Sequence, residues 1–324
     1  MQRGWIPAIS AVLMTTVLTV GAQADDAAPK AQLKLTKGRK MSYTIERTDS
    51  SNWGDRERAS KSTVKYQISI DDVNDKGEAK LSVAFASLVA SRDGGDNPWA
   101  FDLAKKPDEA SEIDTGIRKA VAKPVSVKIV GGRIAEISGF PEIEAAEDDR
   151  TARGRRWRIQ GIAGERTLRR DLELILAMAV QGQSLEAGKS YQVKREESES
   201  ESDRRRRRFS RGFGSAIAFK LESIEKNRAK FSLQTVARKR PEGSEAPQYE
   251  RKDTSKGEAI VALRAGVLLK LQLEHQSEIS GEYQGNEYNI KRTSTVKIQR
   301  ERRGKKGDGG RKKDAKPKKT EKTL

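Results

Sequence analysis

The stretch VKYQISIDDVNDKGEAKLSVAFASL, residues 64–88, decides the fold. Tyr66, Ile68 and Ile70 alternate with Gln67 and Ser69, and Leu81, Val83 and Phe85 alternate in the same way. A period of two buries one face of a strand. Asn74, Asp75 and Gly77 lie between the two runs, so the segment reads as a β-hairpin.

Similar pieces recur later. IAFKLESIEKNRAKFSLQTVARK (217–239) repeats the scheme, with Phe219 opposite Tyr66 and Ala229-Lys230 opposite Ala79-Lys80. Upstream, LTKGRKMSYTIERTDSSNWGDRER (35–58) pairs with LEAGKSYQVKREESESESDRRRR (185–207), matching Tyr43 with Tyr191 and Arg47 with Arg195. Downstream, VKIVGGRIAEISG (127–139) pairs with VALRAGVLLKLQL (261–273), matching Gly132 with Gly266. Three segments in the same order indicate an internal duplication. YNIKRTSTVKI (288–298) supplies an alternating run for a closing strand.

Between the copies, ERTLRRDLELILAMAVQG (165–182) places Leu168, Leu172, Ile175, Leu176 and Ala179 on one helical face. That predicts an amphipathic helix over 167–181, with Thr167 as N-cap and Gly182 as the stop. A second helix could start within 142–160, although Gly154 and the charge density weigh against it. The expected fold is therefore mainly β (α+β). It has two related antiparallel curved-sheet repeats, half-barrel-like, of about four to six strands each. A central helix joins them and a disordered basic tail follows.

Bulk properties set the boundaries. The chain has 324 residues, 35% hydrophobic and 35% charged, with a formal net charge of +18. That favours anionic partners without specifying a fold. The absence of cysteine excludes disulfides and thiolate sites. Residues 1–24 carry Arg3, an apolar run from Trp5 to Val20 and the Ala22-Gln23-Ala24 triplet, which reads as a secretory signal cleaved after Ala24. The expected organisation is signal 1–24, linker 25–32, β repeat 33–141, helical connector 142–183, β repeat 184–299 and tail 300–324. The expected location is periplasmic or extracellular.

Two basic segments are candidate polyanion-binding sites. In EESESESDRRRRRFSRGFG (196–214), Arg204, Arg205, Arg206, Arg207, Arg208 and Arg211 could grip phosphate, sulfate or carboxylate groups. The adjacent acids could equally neutralise them within the loop. The tail holds twelve Lys or Arg against four acids in residues 300–324, with Lys305, Lys306, Arg311, Lys312 and Lys313 as candidate tethers. Export argues against a specific nucleic acid as partner. An anionic envelope surface or polymer is expected instead.

Signatures of catalysis are missing. His275 is the lone histidine and reads as structural or surface-borne. GFGSA (212–216) is not a nucleophile elbow, and no base is placed for it unless His275 folds against Ser215. No metal-ligand spacing or phosphate-cradling loop occurs, so no cofactor and no enzyme activity are expected.

The pattern L-x-x-G-x-x-x-x-Y at Leu35, Gly38 and Tyr43, the Asp75-Lys76-Gly77 hairpin, WAFDL (99–103) and KPVSVKIVGGRIAEISGFPEI (123–143) resemble an uncharacterised family of exported, planctomycete-type bacterial proteins, a domain of unknown function. The resemblance spans about residues 33–300 and implies no activity or site residue. Asp102 is followed here by Leu103, where that family usually continues to an acidic-serine pair. A looser analogy is with periplasmic lipoprotein-carrier half-barrels. The leading expectation is a non-catalytic exported protein that binds anionic surfaces. The alternative is a carrier of a lipid-like ligand, with Leu172, Ile175 and Leu176 lining a cavity between sheet and helix.

Overall fold

In the computed structural model the first and last strands of the chain pair with each other. The structure describes residues 29–53, 56–94, 98–108, 111–141, 159–192, 216–236, 249–283 and 286–301. β1 (Lys40–Trp53), β2 (Arg56–Val73), β3 (Ala79–Asp93), β4 (Trp99–Asp102), β5 (Val125–Val130) and β6 (Arg133–Ser138) form the first half. β7 (Ser190–Tyr191), β8 (Ala216–Glu225), β9 (Arg228–Val236), β10 (Tyr249–Ala262), β11 (Val267–Tyr283) and β12 (Asn286–Arg300) form the second. All join one antiparallel 12-stranded sheet in the order β6-β5-β3-β2-β1-β12-β11-β10-β9-β8-β7, with β4 set beside β3.

The hairpin read from residues 64–88 is present as β2–β3. Asn74 makes its turn: the side-chain oxygen accepts from the amides of Lys76 (3.1 Å) and Glu78 (2.9 Å). Gly77 takes φ 76°, a left-handed conformation that a side chain would oppose. The run 288–298 falls within β12, which joins the two halves by pairing with both β1 and β11.

The duplication is visible in the backbone. Gly38 donates to Ile70 O and Gly188 to Leu221 O, each at 2.8 Å, while Ile70 donates to Arg39 O and Leu221 to Lys189 O, each at 3.0 Å. Irregularities recur too. The β2–β3 register breaks between Ile70 and Asp72 as β8–β9 does between Leu221 and Ser223. Breaks at Lys128/Ile129 and Ile260/Val261 mark the third hairpin of each copy. Bulges place an unpaired residue at one point of a ladder, so their recurrence at matching points is a sensitive mark of common design. Equating Gly38 with Gly188 puts Met41, not Tyr43, in the place of Tyr191. The sequence match was two residues out of register. A slip of two keeps a strand residue on the same face, which is why the alternation alone did not expose it.

Two helices complete the described fold. α1 (Glu112–Val121) was not anticipated; the Ser111 hydroxyl caps it by accepting from Asp114 N at 3.2 Å. Arg118 ties α1 to the β4 excursion through Asp114 and the carbonyls of Asp102, Leu103 and Lys105, and stacks over the Phe101 ring.

α2 (Glu165–Ile175) is the connector helix and is shorter than the expected 167–181. Its N-cap is Gly164 rather than Thr167, whose hydroxyl instead donates to the carbonyls of Gln160 and Gly161. It ends before the apolar run does, because Ala177 takes φ 46° and the Gln181 amide donates to Leu176 O at 2.7 Å. The region 142–158, where another helix could begin, lies outside the described residues; 159–163 form a helical turn leading into α2.

The placement of α2 requires the sheet to curl. The helix touches both β6 and β11, which are six strand steps apart in the order above. Six steps span ~29 Å along a sheet, far more than the 10–12 Å diameter of a helix. The open sheet therefore wraps around α2. Leu168, Leu172 and Ile175 are wholly buried and belong to one hydrophobic cluster with Tyr43, Ile45, Val64, Tyr66 and Phe231. Burying each such side chain contributes roughly 1.5–3 kcal/mol.

Candidate functional site: a polar belt inside the curled sheet

Facing residues on adjacent strands form rungs across the inner face. One rung is apolar throughout: Ala259, Leu271, Ile298, Ile45, Val64 and Leu88. The next reads Gly257, Leu273, Val296, Arg47, Ser62 and Ala90. Above it come Ser255, His275, Ser294, Asp49, Ser60 and Arg92, then Asp253, Ser277, Arg292, Ser51 and Arg58. A further rung returns to Ile279 and Ile290. The inner face thus turns polar in neighbouring strands at the same height. His275, Ser277 and Ser294 are no more than 5% exposed. Such burial of polar groups is unfavourable unless they are hydrogen-bonded or used.

This belt borders a cavity of about 640 Å³. The far wall is formed by Gly161 and Ile162 before α2 and by Thr167 and Arg170 on it, with Trp99 of β4 at one side. Among the described residues, six cations line the space (Arg47, Arg58, Lys61, Arg92, Arg170 and Arg292), against one acid, Asp49.

Two networks hold the floor and wall. Asp171 of α2 is fully buried and accepts from Arg47 and from the Tyr66 hydroxyl, the latter at 2.9 Å. Burial works against the charge on Arg47, but Asp171, Tyr66 and Asp49 outweigh it and hold Arg47 more firmly protonated than usual. Burial, opposed by Asp171 and reinforced by Arg47, lowers the Arg170 value. On the wall, Asp49 accepts from Arg292 through Nε (3.1 Å) and a terminal nitrogen (2.7 Å), and from the Ser294 hydroxyl.

Three buried donors at this cavity have no hydrogen-bond partner among the described residues: Arg47 Nε, Trp99 Nε1 and Ser277 Oγ. They come from three different strands. The residues that carry them are among those lining the space, and the described charged side chains there are mostly cationic, so the arrangement suits an acceptor-rich anion.

His275 is buried in the belt rather than on the surface. Its Nδ1 lies 2.7 Å from Ser255 Oγ, and its Nε2 lies 3.6 Å from Asp253 Oδ1. Ser215 lies outside the described residues. His275 borders the cavity, whereas Ser255 and Asp253 do not.

The sequence-derived candidates Arg204 to Arg208, Arg211, Lys305, Lys306, Arg311, Lys312 and Lys313 all lie outside the described residues. The strands flanking 193–215 meet that segment at the cavity end of the sheet, where Ala216 pairs with Val236. The chain enters 302–324 from the opposite end, where Arg300 pairs with Tyr43. Leu172, Ile175 and Leu176, offered as the wall of a lipid cavity, are wholly buried in the core and do not border the space.

No protein-family model matches the chain and no curated protein does. Among solved structures it is similar to an outer membrane channel from Pseudomonas putida at 6% identity and TM-score 0.22, covering 86% of this chain and 98% of that one. OpdQ of Pseudomonas aeruginosa gives 6% identity and TM-score 0.20, covering 82% and 100%. A DUF1329 family protein from Desulfovibrio piger gives 9% identity and TM-score 0.11, covering 80% and 83%. Likenesses at these scores carry no argument about this chain's activity.

Proposed function

We propose that the protein is an exported, non-catalytic binding protein that holds an anionic ligand in the polar belt between the curled sheet and α2. The observation that carries this reading is the cavity's lining among the described residues, six cations against one acid, together with three buried donors, on Arg47, Trp99 and Ser277, that have no partner among those residues. Cavities of this size suit small ligands. Export is supported by the Arg3, apolar-run and Ala22-Gln23-Ala24 pattern at the start of the chain. The +18 net charge raises the encounter rate with anions, and the basic tail serves as a tether to an anionic envelope surface.

Native mass spectrometry of the exported protein, purified at low salt, tests the reading. A bound anion is expected on the parent chain and on a variant with Arg204 to Arg208 changed to Gln, and its loss is expected in Arg292→Ala. Anion lost from the loop variant but retained by Arg292→Ala would move the site to the loop and sink the proposal.

A further inference from the structure

We infer that the ligand is an acidic oligosaccharide, a short sugar chain bearing carboxylate or sulfate groups; this rests on the anion-binding reading above. The first ground is spacing. Trp99 lies on β4 beside β3, Arg47 on β1 and Ser277 on β11. Arg92 on β3, Arg58 on β2 and Arg292 on β12 line the space from the strands between them. A ligand that meets this lining carries acceptors at more than one position.

The second ground is the mixture of polarities. A chain of phosphates is made only of acceptors, and a site built for it gains nothing from a carboxylate. Here Asp49 borders the space in the middle of the belt. It already accepts from Arg292 and Ser294, and a carboxylate has about four acceptor positions. Capacity for a further donor is left over. Ser51, Ser60 and Ser62 stand in successive rungs beside it and both donate and accept. Sugar hydroxyls match such groups, while the acid substituents match the arginines through forked hydrogen bonds.

The third ground is the apolar ends. Trp99 lies at one side of the cavity, and Ile279 and Ile290 cap the belt above its last polar rung. An aromatic ring with one N–H donor suits a ligand that shows both an apolar face and oxygens. Together the lining fits an elongated molecule, polar along its edges and charged at intervals.

Calorimetric titration of the full chain with trigalacturonate, maltotriose and tripolyphosphate at one ionic strength decides the matter. Trigalacturonate is expected to bind at least tenfold tighter than either comparator. Ser277→Ala is expected to weaken it about fivefold and Trp99→Phe about threefold, with circular dichroism unchanged. Tripolyphosphate binding tighter than trigalacturonate would overturn the saccharide assignment and leave the anion reading standing. Equal binding of maltotriose, or no binding of any anion by folded protein, would overturn both.

Discussion

Arg47 on β1 and Asp171 on α2 are joined by a hydrogen-bonded ion pair inside the curled sheet, 124 residues apart in the chain. The same carboxylate takes the Tyr66 hydroxyl, so one helix residue fixes α2 to two adjacent strands. It stands where the apolar core gives way to the polar belt.

Removing one partner of that pair strands a buried charge. Asp171→Asn is expected to lower the unfolding free energy by about 3–5 kcal/mol, the usual cost of breaking a buried pair. The double variant Arg47→Met/Asp171→Leu is expected to recover most of the loss, because no charge is left buried. Urea unfolding of the parent and both variants measures this. Equal loss in both variants would contradict it.

Alkaline pH is expected to destabilise the fold through two tyrosines. Burial raises the Tyr43 hydroxyl well above its usual range; Tyr66 is raised by burial and by Asp171. Between about pH 10 and their folded-state values, the unfolded chain loses these protons and the folded chain keeps them. Unfolding free energy then falls by about 1.4 kcal/mol per pH unit for each. Below about pH 10 this contribution is fully present. Tyrosinate absorbance should show two hydroxyls that ionise only as the protein unfolds.

Gly266 is expected to resist substitution. It takes φ 60°, and an added Cβ would lie 2.5 Å from backbone atoms of Gln32 and Leu33. Gly266→Ala should therefore lower stability by at least ~1 kcal/mol, whereas Gly38→Ala, with open space around its Cβ, carries only the conformational strain of φ 77°. Thermal melts of the two variants compare them. A Gly38→Ala loss larger than that of Gly266→Ala would contradict the close packing of Gln32 and Leu33 on the β10–β11 turn.

The strands were legible because alternation such as Tyr66-Ile68-Ile70 reports one buried face directly, and the Asn74 to Gly77 turn reports the hairpin. The duplication was legible for the same reason, to within one pleat. The belt was not. Along β1 the inward row runs Tyr43, Ile45, Arg47, Asp49, Ser51, and in a single strand the last three look like a run reaching solvent. Only the pairing register shows that β2, β11 and β12 turn polar at the same height. Residues 58, 60 and 62, 275 and 277, and 292 and 294 at spacing two were the available signal. The helix α1 was hidden by its charge, although Ser111 three residues before Asp114, with Ile113, Ile117 and Val121, marked its cap and inner face. Sequence reasoning gave weight to the longest arginine run, because charge density is visible in one dimension and enclosure is not.

The most direct test titrates the tightest-binding anion of the calorimetric panel into the parent chain, Arg292→Ala and the Arg204 to Arg208 glutamine variant. Binding in the belt requires at least a tenfold loss in Arg292→Ala and less than a twofold change in the loop variant. The reverse pattern, loss in the loop variant with Arg292→Ala unaffected, would contradict it.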